Sequence, residues 1–200
     1  MSTPALAVLI SGGGRTALNI HRVCESGTLA ARVALVIAHR EDIAGVEHCR
    51  AAGMRVAVLP DGADLADRID RVLEAASIDL VCLAGYLRHF RVGSRWRGRT
   101  LNIHPGLLPQ FGGHGMYGTR VHRAVLAAKV QESGCTVHEV DEIYDHGAVV
   151  LEQRCAVAVD DTPDTLAARV FALECDAYPR AIQLTLDRAR EQVQQAEGVR

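Results

Sequence analysis

The chain is short of aromatic side chains, of net charge, of long apolar runs and of paired cysteines, and each shortage excludes something. Aromatic residues make up 4% of the 200 positions against 48% hydrophobic, so the core must come from Ala, Val, Leu and Ile, as it does in α/β proteins. A formal net charge of −2 leaves no basic footprint for nucleic acid. No apolar run approaches a membrane span, and Met1-Ser2-Thr3-Pro4 puts no charged segment ahead of the first apolar stretch, so neither a membrane helix nor a signal peptide is expected. The six cysteines form no C-x-x-C pair, and four of them lie in apolar runs. They read as small buried hydrophobes in a reducing, cytoplasmic setting rather than as disulfide partners or zinc ligands.

What is present reads as one domain with a sizeable core. Ala5–Ser11, Ala31–Ala38, Val56–Leu59 and Leu80–Ala84 are near-continuous apolar runs, as expected of strands buried on both faces. Thr16–Glu25, Gly45–Ala52 and Asp64–Ala76 between them carry helical spacing, for example Leu65, Ile69, Val72 and Leu73. This alternation predicts an α/β fold with a doubly wound, mostly parallel sheet. Thr100–His104 reads as the next strand, Gly106–Gly118 as a glycine-rich loop and Thr119–Ala128 as a helix. Gly134–Val140 and Ala148–Val159, joined by the Asp141–Gly147 loop, read as a late antiparallel pair. A long C-terminal helix is predicted to open at Thr162-Pro163-Asp164, with Thr162 as cap and proline in the first turn. Pro179 is expected to kink or interrupt it, and the polar tail after Asp187 to fray.

Two stretches carry chemistry. Ser11-Gly12-Gly13-Gly14-Arg15-Thr16 follows the first strand and opens the first helix, where glycines let a ligand approach and free N–H groups attract an anion. Gly12, Gly14 and Ala17 also fit a relaxed dinucleotide fingerprint, but Glu41 is late for its ribose-binding acid, so a plain strand-to-helix turn stays open. In Leu101-Asn102-Ile103-His104-Pro105-Gly106-Leu107-Leu108-Pro109 the strand period puts Asn102 and His104 on one face, and Pro105 ends the ladder. An amide and an imidazole at a strand end suit a carbonyl whose oxygen takes on negative charge. Asp145, in the later loop, is expected to reach back, raise the pKa of His104 and keep it charged. His122, His138 and His146 are further candidates, with His138 the one expected to prop the site. No ligand spacing supports zinc, so no metal is expected.

Taken together, these residues resemble the phosphoribosylglycinamide formyltransferase family of folate-dependent enzymes. The resemblance runs from about Leu6 to Ala181 and rests on an ordered set. Leu9-Ile10-Ser11-Gly12-Gly13-Gly14 is followed by Leu83-Ala84-Gly85-Tyr86-Leu87-Arg88 and by the Asn102–Pro109 element. Val137-His138, Asp141-Glu142-x-x-Asp145-x-Gly147, and Ala168-Arg169-Val170 through Glu174 to Tyr178-Pro179 complete it. It implies a Rossmann-like formyltransferase fold in which Asn102, His104 and Asp145 are catalytic. Gly13, Gly14, Arg15, Thr16 and Glu174 would hold phosphoribosylglycinamide. Leu87, Arg88, His89 and Phe90, with Asn102 and Asp141, Glu142, Ile143, Tyr144 and Asp145, would hold 10-formyltetrahydrofolate as co-substrate. The implied reaction moves the formyl group to the acceptor's amine in purine biosynthesis.

The single domain would divide its labour, phosphate site in the N-terminal half and folate and catalytic loops in the C-terminal half. Its partners would be small molecules, with no nucleic acid and no membrane, in a monomer or homodimer. Three departures stand out: a longer Gly112–Gly118 loop, no folate-contacting arginine in Pro60–Asp64, and Arg15-Thr16 in place of a small polar pair. The alternatives are a 10-formyltetrahydrofolate hydrolase, a methionyl-tRNA formyltransferase, an NAD(P)-binding oxidoreductase, or a silent nucleotide- or folate-binding module. The hydrolase and the tRNA enzyme usually carry extra domains, which a chain opening at its first strand and ending in one polar helix is not expected to have. The oxidoreductase leaves the Asn102–Pro109 element unexplained, and intact Asn102, His104 and Asp145 count against the silent module.

Overall fold

Strand and helix alternate along residues 3–198, the part that the computed structural model describes. The elements are β1 (Ala5–Ile10), α1 (Arg15–Glu25), β2 (Arg32–Ala38), α2 (Ala44–Ala51), β3 (Val56–Val58), α3 (Leu65–Ala75) and β4 (Leu80–Leu83). Then follow α4 (Gly93–Trp96), β5 (Thr100–His104), α5 (Thr119–Ala127), β6 (Glu132–Glu139), β7 (Val149–Ala156) and α6 (Pro163–Gly198). The seven strands form one sheet in the order β3-β2-β1-β4-β5-β6-β7. The first five are parallel, and β6 and β7 join antiparallel. The predicted strands and long helices are all present. The short α4 has too few residues to show a period and was not anticipated.

Strand alternation sorts the core into two layers. Leu6, Val8 and Ile10 face Ile20 of α1, Val121 and Val125 of α5 and Val170, Tyr178 and Ile182 of α6. Ala5, Ala7 and Leu9 face Ile69 and Leu73 of α3 and the buried Trp96. In β5, Leu101 and Ile103 enter the first layer, which leaves Asn102 and His104 on the opposite face. Strand order reverses between β1 and β4, where a crevice opens beyond the carboxyl ends of the strands. The Ser11 N–H bonds the Gly85 carbonyl at 3.2 Å and ties the two loops that flank this crevice.

Two expectations for α6 are corrected. The helix runs unbroken through Pro179 as 36 residues. Pro179 has no N–H for the Cys175 carbonyl four residues back, and the buried Asn19 of α1 supplies the missing donor, its Nδ2 lying 2.8 Å from that oxygen. The stretch after Asp187 is helical to Gly198, consistent with its Ala, Arg, Glu and Gln content. Its start is as expected, with the Thr162 hydroxyl accepting the Thr165 N–H at 3.2 Å. One residue before the proline, the buried Tyr178 hydroxyl reaches the carbonyls of Leu83 and Leu101, each at 3.0 Å, and so locks α6 to β4 and β5. Among the described residues no helix is long and apolar enough to cross a membrane.

Removing the Asn19 amide leaves the Cys175 carbonyl without a donor, so Asn19→Ala should cost about 1–3 kcal/mol in urea unfolding. In a Pro179→Ala background the helix supplies its own N–H, and the same substitution should cost clearly less. Equal costs in the two backgrounds would refute the compensation.

Candidate active site

A cavity of about 680 Å³ occupies the crevice. Its walls are the glycine loop, the loop after β4, the end of β5, the Gly113–Arg120 segment, the loop between β6 and β7, and one face of α6.

On its floor a buried carboxylate organises the side chains. Asp145 Oδ1 lies 3.3 Å from Asn102 Nδ2, and Oδ2 accepts the Gly113 N–H at 2.9 Å. His104 Nδ1 stands 3.4 Å from Oδ2, and His138 Nε2 3.5 Å from Oδ1. The three side chains are 10%, 3% and 2% exposed for Asp145, His104 and His138. Asp145 adopts a positive φ of 54°, a left-handed conformation that aspartate tolerates better than most residues and that tends to occur at functional sites.

The polarity of the network follows from its acceptors. His138 Nδ1 is 2.7 Å from the Glu139 carbonyl, which only accepts, so Nδ1 carries the proton and Nε2 takes one from Asn102 Nδ2 at 3.0 Å. The competing contact from His138 Nε2 to Asp145 is longer at 3.5 Å, and the shorter bond prevails. Both N–H bonds of Asn102 are therefore occupied, by His138 and Asp145, and its amide cannot be flipped without setting oxygen against carboxylate. His104 Nε2 likewise donates to the Phe111 carbonyl at 2.7 Å, which leaves Nδ1 as the exchangeable position.

Electrostatics correct the expectation that Asp145 keeps His104 charged. Burial lowers the imidazole pKa below its ordinary value, and the nearby Asp145 opposes this without overcoming it. The resting imidazole is neutral at pH 7. Burial pushes Asp145 up, but the His138 and His104 imidazoles and the Gly113 N–H outweigh it and hold the carboxyl below its ordinary range. His122, on α5, is 4% exposed and lines the cavity. Its pKa is lowered by burial and then by His104, and its Nδ1 has no hydrogen-bond partner among the described residues.

At the other end, Gly13, Gly14, Arg15, Thr16 and Glu174 all line the cavity. The Arg15 guanidinium lies 4.1 Å over the Phe171 ring, one helical turn before Glu174. Phe171 was not anticipated, although its spacing of three from Glu174 puts both on one face. Burial raises the Glu174 carboxyl to about 7, with Arg15 pulling it back.

Leu87, Arg88, His89, Phe90, Asp141, Ile143 and Tyr144 also line the cavity. Arg88 is not free, since its guanidinium is forked onto Asp61 at 2.8–3.2 Å. Phe90 is 4% exposed and belongs mainly to the core. Glu142 is the exception and lines a separate small cleft. Asp141 Oδ1 accepts the Ile143 N–H at 2.8 Å, a turn that swings the intervening residue outward. His146 sits outside the cavity, 2.7 Å from Asp141 Oδ2. The atypical loop packs on the carboxylate: a Cβ at Gly112 would come within 3.1 Å of Asp145 Cβ.

A family model described as "Formyl transferase" matches residues 5–182. The chain is 39% identical over 186 residues to a chloroplastic phosphoribosylglycinamide formyltransferase of Arabidopsis thaliana, covering 88% of this chain and 63% of that protein. It thus spans less than two thirds of that relative's length. It is 34% identical over 185 residues to the phosphoribosylglycinamide formyltransferase of Haemophilus influenzae, covering 89% of this chain and 85% of that one. The crystal structure of glycinamide ribonucleotide transformylase 1 from Symbiobacterium toebii superposes with a TM-score of 0.84 at 36% identity, covering 91% of this chain and 87% of that one.

Glu174 yields a signed expectation. The unfolded chain releases this proton near 4.5 and the folded chain near 7, so the folded state binds more protons in between and loses stability as pH rises. Glu174→Gln cannot ionise. Its melting temperature should therefore climb relative to the parent's between pH 4.5 and 7, as calorimetric scans would show. A pH-independent offset would contradict the raised pKa.

Proposed function

The chain belongs to the formyl transferase family, and on that premise we propose that it transfers the formyl group of 10-formyltetrahydrofolate to the amine of phosphoribosylglycinamide. The products are formylglycinamide ribonucleotide and tetrahydrofolate, in purine biosynthesis. The observation that carries this reading is the Asn102–Asp145–His104 network at the meeting point of two differently built cavity ends. One end offers glycine-loop N–H groups, Arg15 and Glu174, which suit a phosphate and an amine. The other offers the exposed apolar Leu87, Ile143 and Tyr144, which suit a flat heteroaromatic donor.

In this reading the neutral amine of the acceptor attacks the formyl carbon, and the C=O pair moves onto oxygen. Before that attack Glu174, with its pKa near 7, takes the extra proton of the acceptor's ammonium form, so the adduct nitrogen has a single surplus proton to pass on. The oxyanion draws one Asn102 N–H away from His138 or Asp145. It also shifts the His104 equilibrium toward the imidazolium, because a second negative charge now joins Asp145 beside Nδ1. When the tetrahedral adduct collapses, the C–N10 bond breaks and the carbonyl re-forms. The nitrogen proton reaches N10 through Asp145 or water. A donor preset for the oxyanion lowers such a barrier by about 3–4 kcal/mol.

The N-terminal half would supply the phosphate site and the C-terminal half the donor and catalytic loops of a single domain. Small molecules are its partners in this reading, which assigns it no nucleic acid, no membrane and no metal and puts it in the cytoplasm. His104→Ala should lower turnover at least about a hundredfold, as loss of an oxyanion donor does, in a variant whose far-UV circular dichroism still shows the folded state at the assay temperature. The defining assay follows deformylation of 10-formyltetrahydrofolate with and without phosphoribosylglycinamide. Acceptor-dependent release supports the transferase, acceptor-independent release a hydrolase, and no release overturns both.

A further inference from the structure

The glycine loop rests directly on α2. The Gly45 N–H donates to the Gly12 carbonyl at 3.1 Å. The exposed His48 imidazole sets Nδ1 3.1 Å from the Gly13 carbonyl. A carbonyl only accepts, so this Nδ1 carries the proton. Gly45 and His48 are three apart on one helix and share a face. A side chain at position 45 has no room, since its Cβ would stand 2.8 Å from Ile10 Cδ1 and 2.9 Å from the Gly14 nitrogen. Two successive loop carbonyls are thus drawn onto α2.

A trans peptide is planar, and its N–H points opposite to its C=O. With the Gly12 and Gly13 carbonyls turned onto α2, the N–H groups of Gly13 and Gly14 turn away from it, toward the side on which both residues line the cavity. The peptide between them is packed on one side only: Gly14 is buried, and a Cβ on it would stand 3.0 Å from Gly45 Cα. An ideal Cβ on Gly13 would meet nothing within 4 Å, and glycine rotates freely. The His48 bond is the side-chain restraint at the Gly13 end, keeping its carbonyl down and the Gly14 N–H up.

We propose that His48 is a positioning residue of the acceptor site. It acts through the Gly13 peptide to present the loop N–H groups as a preformed seat for a phosphate monoester. The identity of the acceptor rests on the formyl-transfer reading; the phosphate seat does not.

The test compares His48→Leu, which has no donor, with His48→Asn, whose amide nitrogen branches at the same point as Nδ1. Two readouts are needed: steady-state kinetics in both substrates, and calorimetric binding of ribose 5-phosphate in the absence of donor. In His48→Leu the KM for phosphoribosylglycinamide and the Kd for ribose 5-phosphate should both rise about fivefold, the scale of one neutral hydrogen bond. Its kcat and its KM for the formyl donor should not move, and His48→Asn should recover most of the loss. Unchanged ribose 5-phosphate binding in His48→Leu, a parallel rise in both KM values, or an Asn variant no better than Leu would overturn the positioning role. If the wild-type protein binds ribose 5-phosphate with this His48 dependence but transfers no formyl group, the formyl-transfer reading falls and the seat stands.

Discussion

A carboxylate that must stay ionised inside the protein is the constraint around which the rest is arranged. Removing Asp145 from water costs several kcal/mol unless hydrogen bonds replace the lost solvent. They come from Asn102 on β5 and Gly113 in the glycine-rich loop, with the His104 and His138 imidazoles packed alongside. Each partner is itself fixed, His138 by the Glu139 carbonyl and His104 by that of Phe111. The antiparallel return of β6 serves this arrangement by pairing His138 directly with Asn102. A network of this kind is costly when partly satisfied and rigid when complete.

Burial cuts both ways for the imidazole. It makes the Asp145–His104 attraction strong and also makes a resting imidazolium expensive, and the second effect wins. A further negative charge beside Nδ1 would shift the balance back toward the cation. The same logic holds at the far end, where a dry surrounding raises Glu174 to about 7 although Arg15 is near. The two environments move protonation in opposite directions, His104 toward its neutral form and Glu174 toward its acid form.

The frame that holds these ends apart depends on α6. Tyr178 pins the helix to the carbonyls of β4 and β5, and Asn19 repairs the bond that Pro179 removes. The proline thus acts as a docking point for α1, the helix that the glycine loop opens. Glu174 and Phe171 line the cavity from the stretch of α6 just before Tyr178.

Much of this was legible in the sequence. Continuous apolar runs and helical spacing marked the strands and helices, because burial on both sheet faces imposes such runs. The Asn102–Pro109 element put two polar groups on one face because strand side chains alternate. Local rules also misled where a distant residue intervened. Pro179 reads as a break until Asn19 is beside it, and Arg88 reads as an uncommitted cation until Asp61 claims it. The sequence by itself determined the element order, the same-face pair and the glycine loop, since those depend only on neighbours along the chain. The tertiary structure alone decided the proton positions, the neutral resting state of His104, the full commitment of Asn102 and the seating of the loop on Gly45 and His48. Those depend on burial and on hydrogen-bond partners far away in sequence, and no local pattern encodes either.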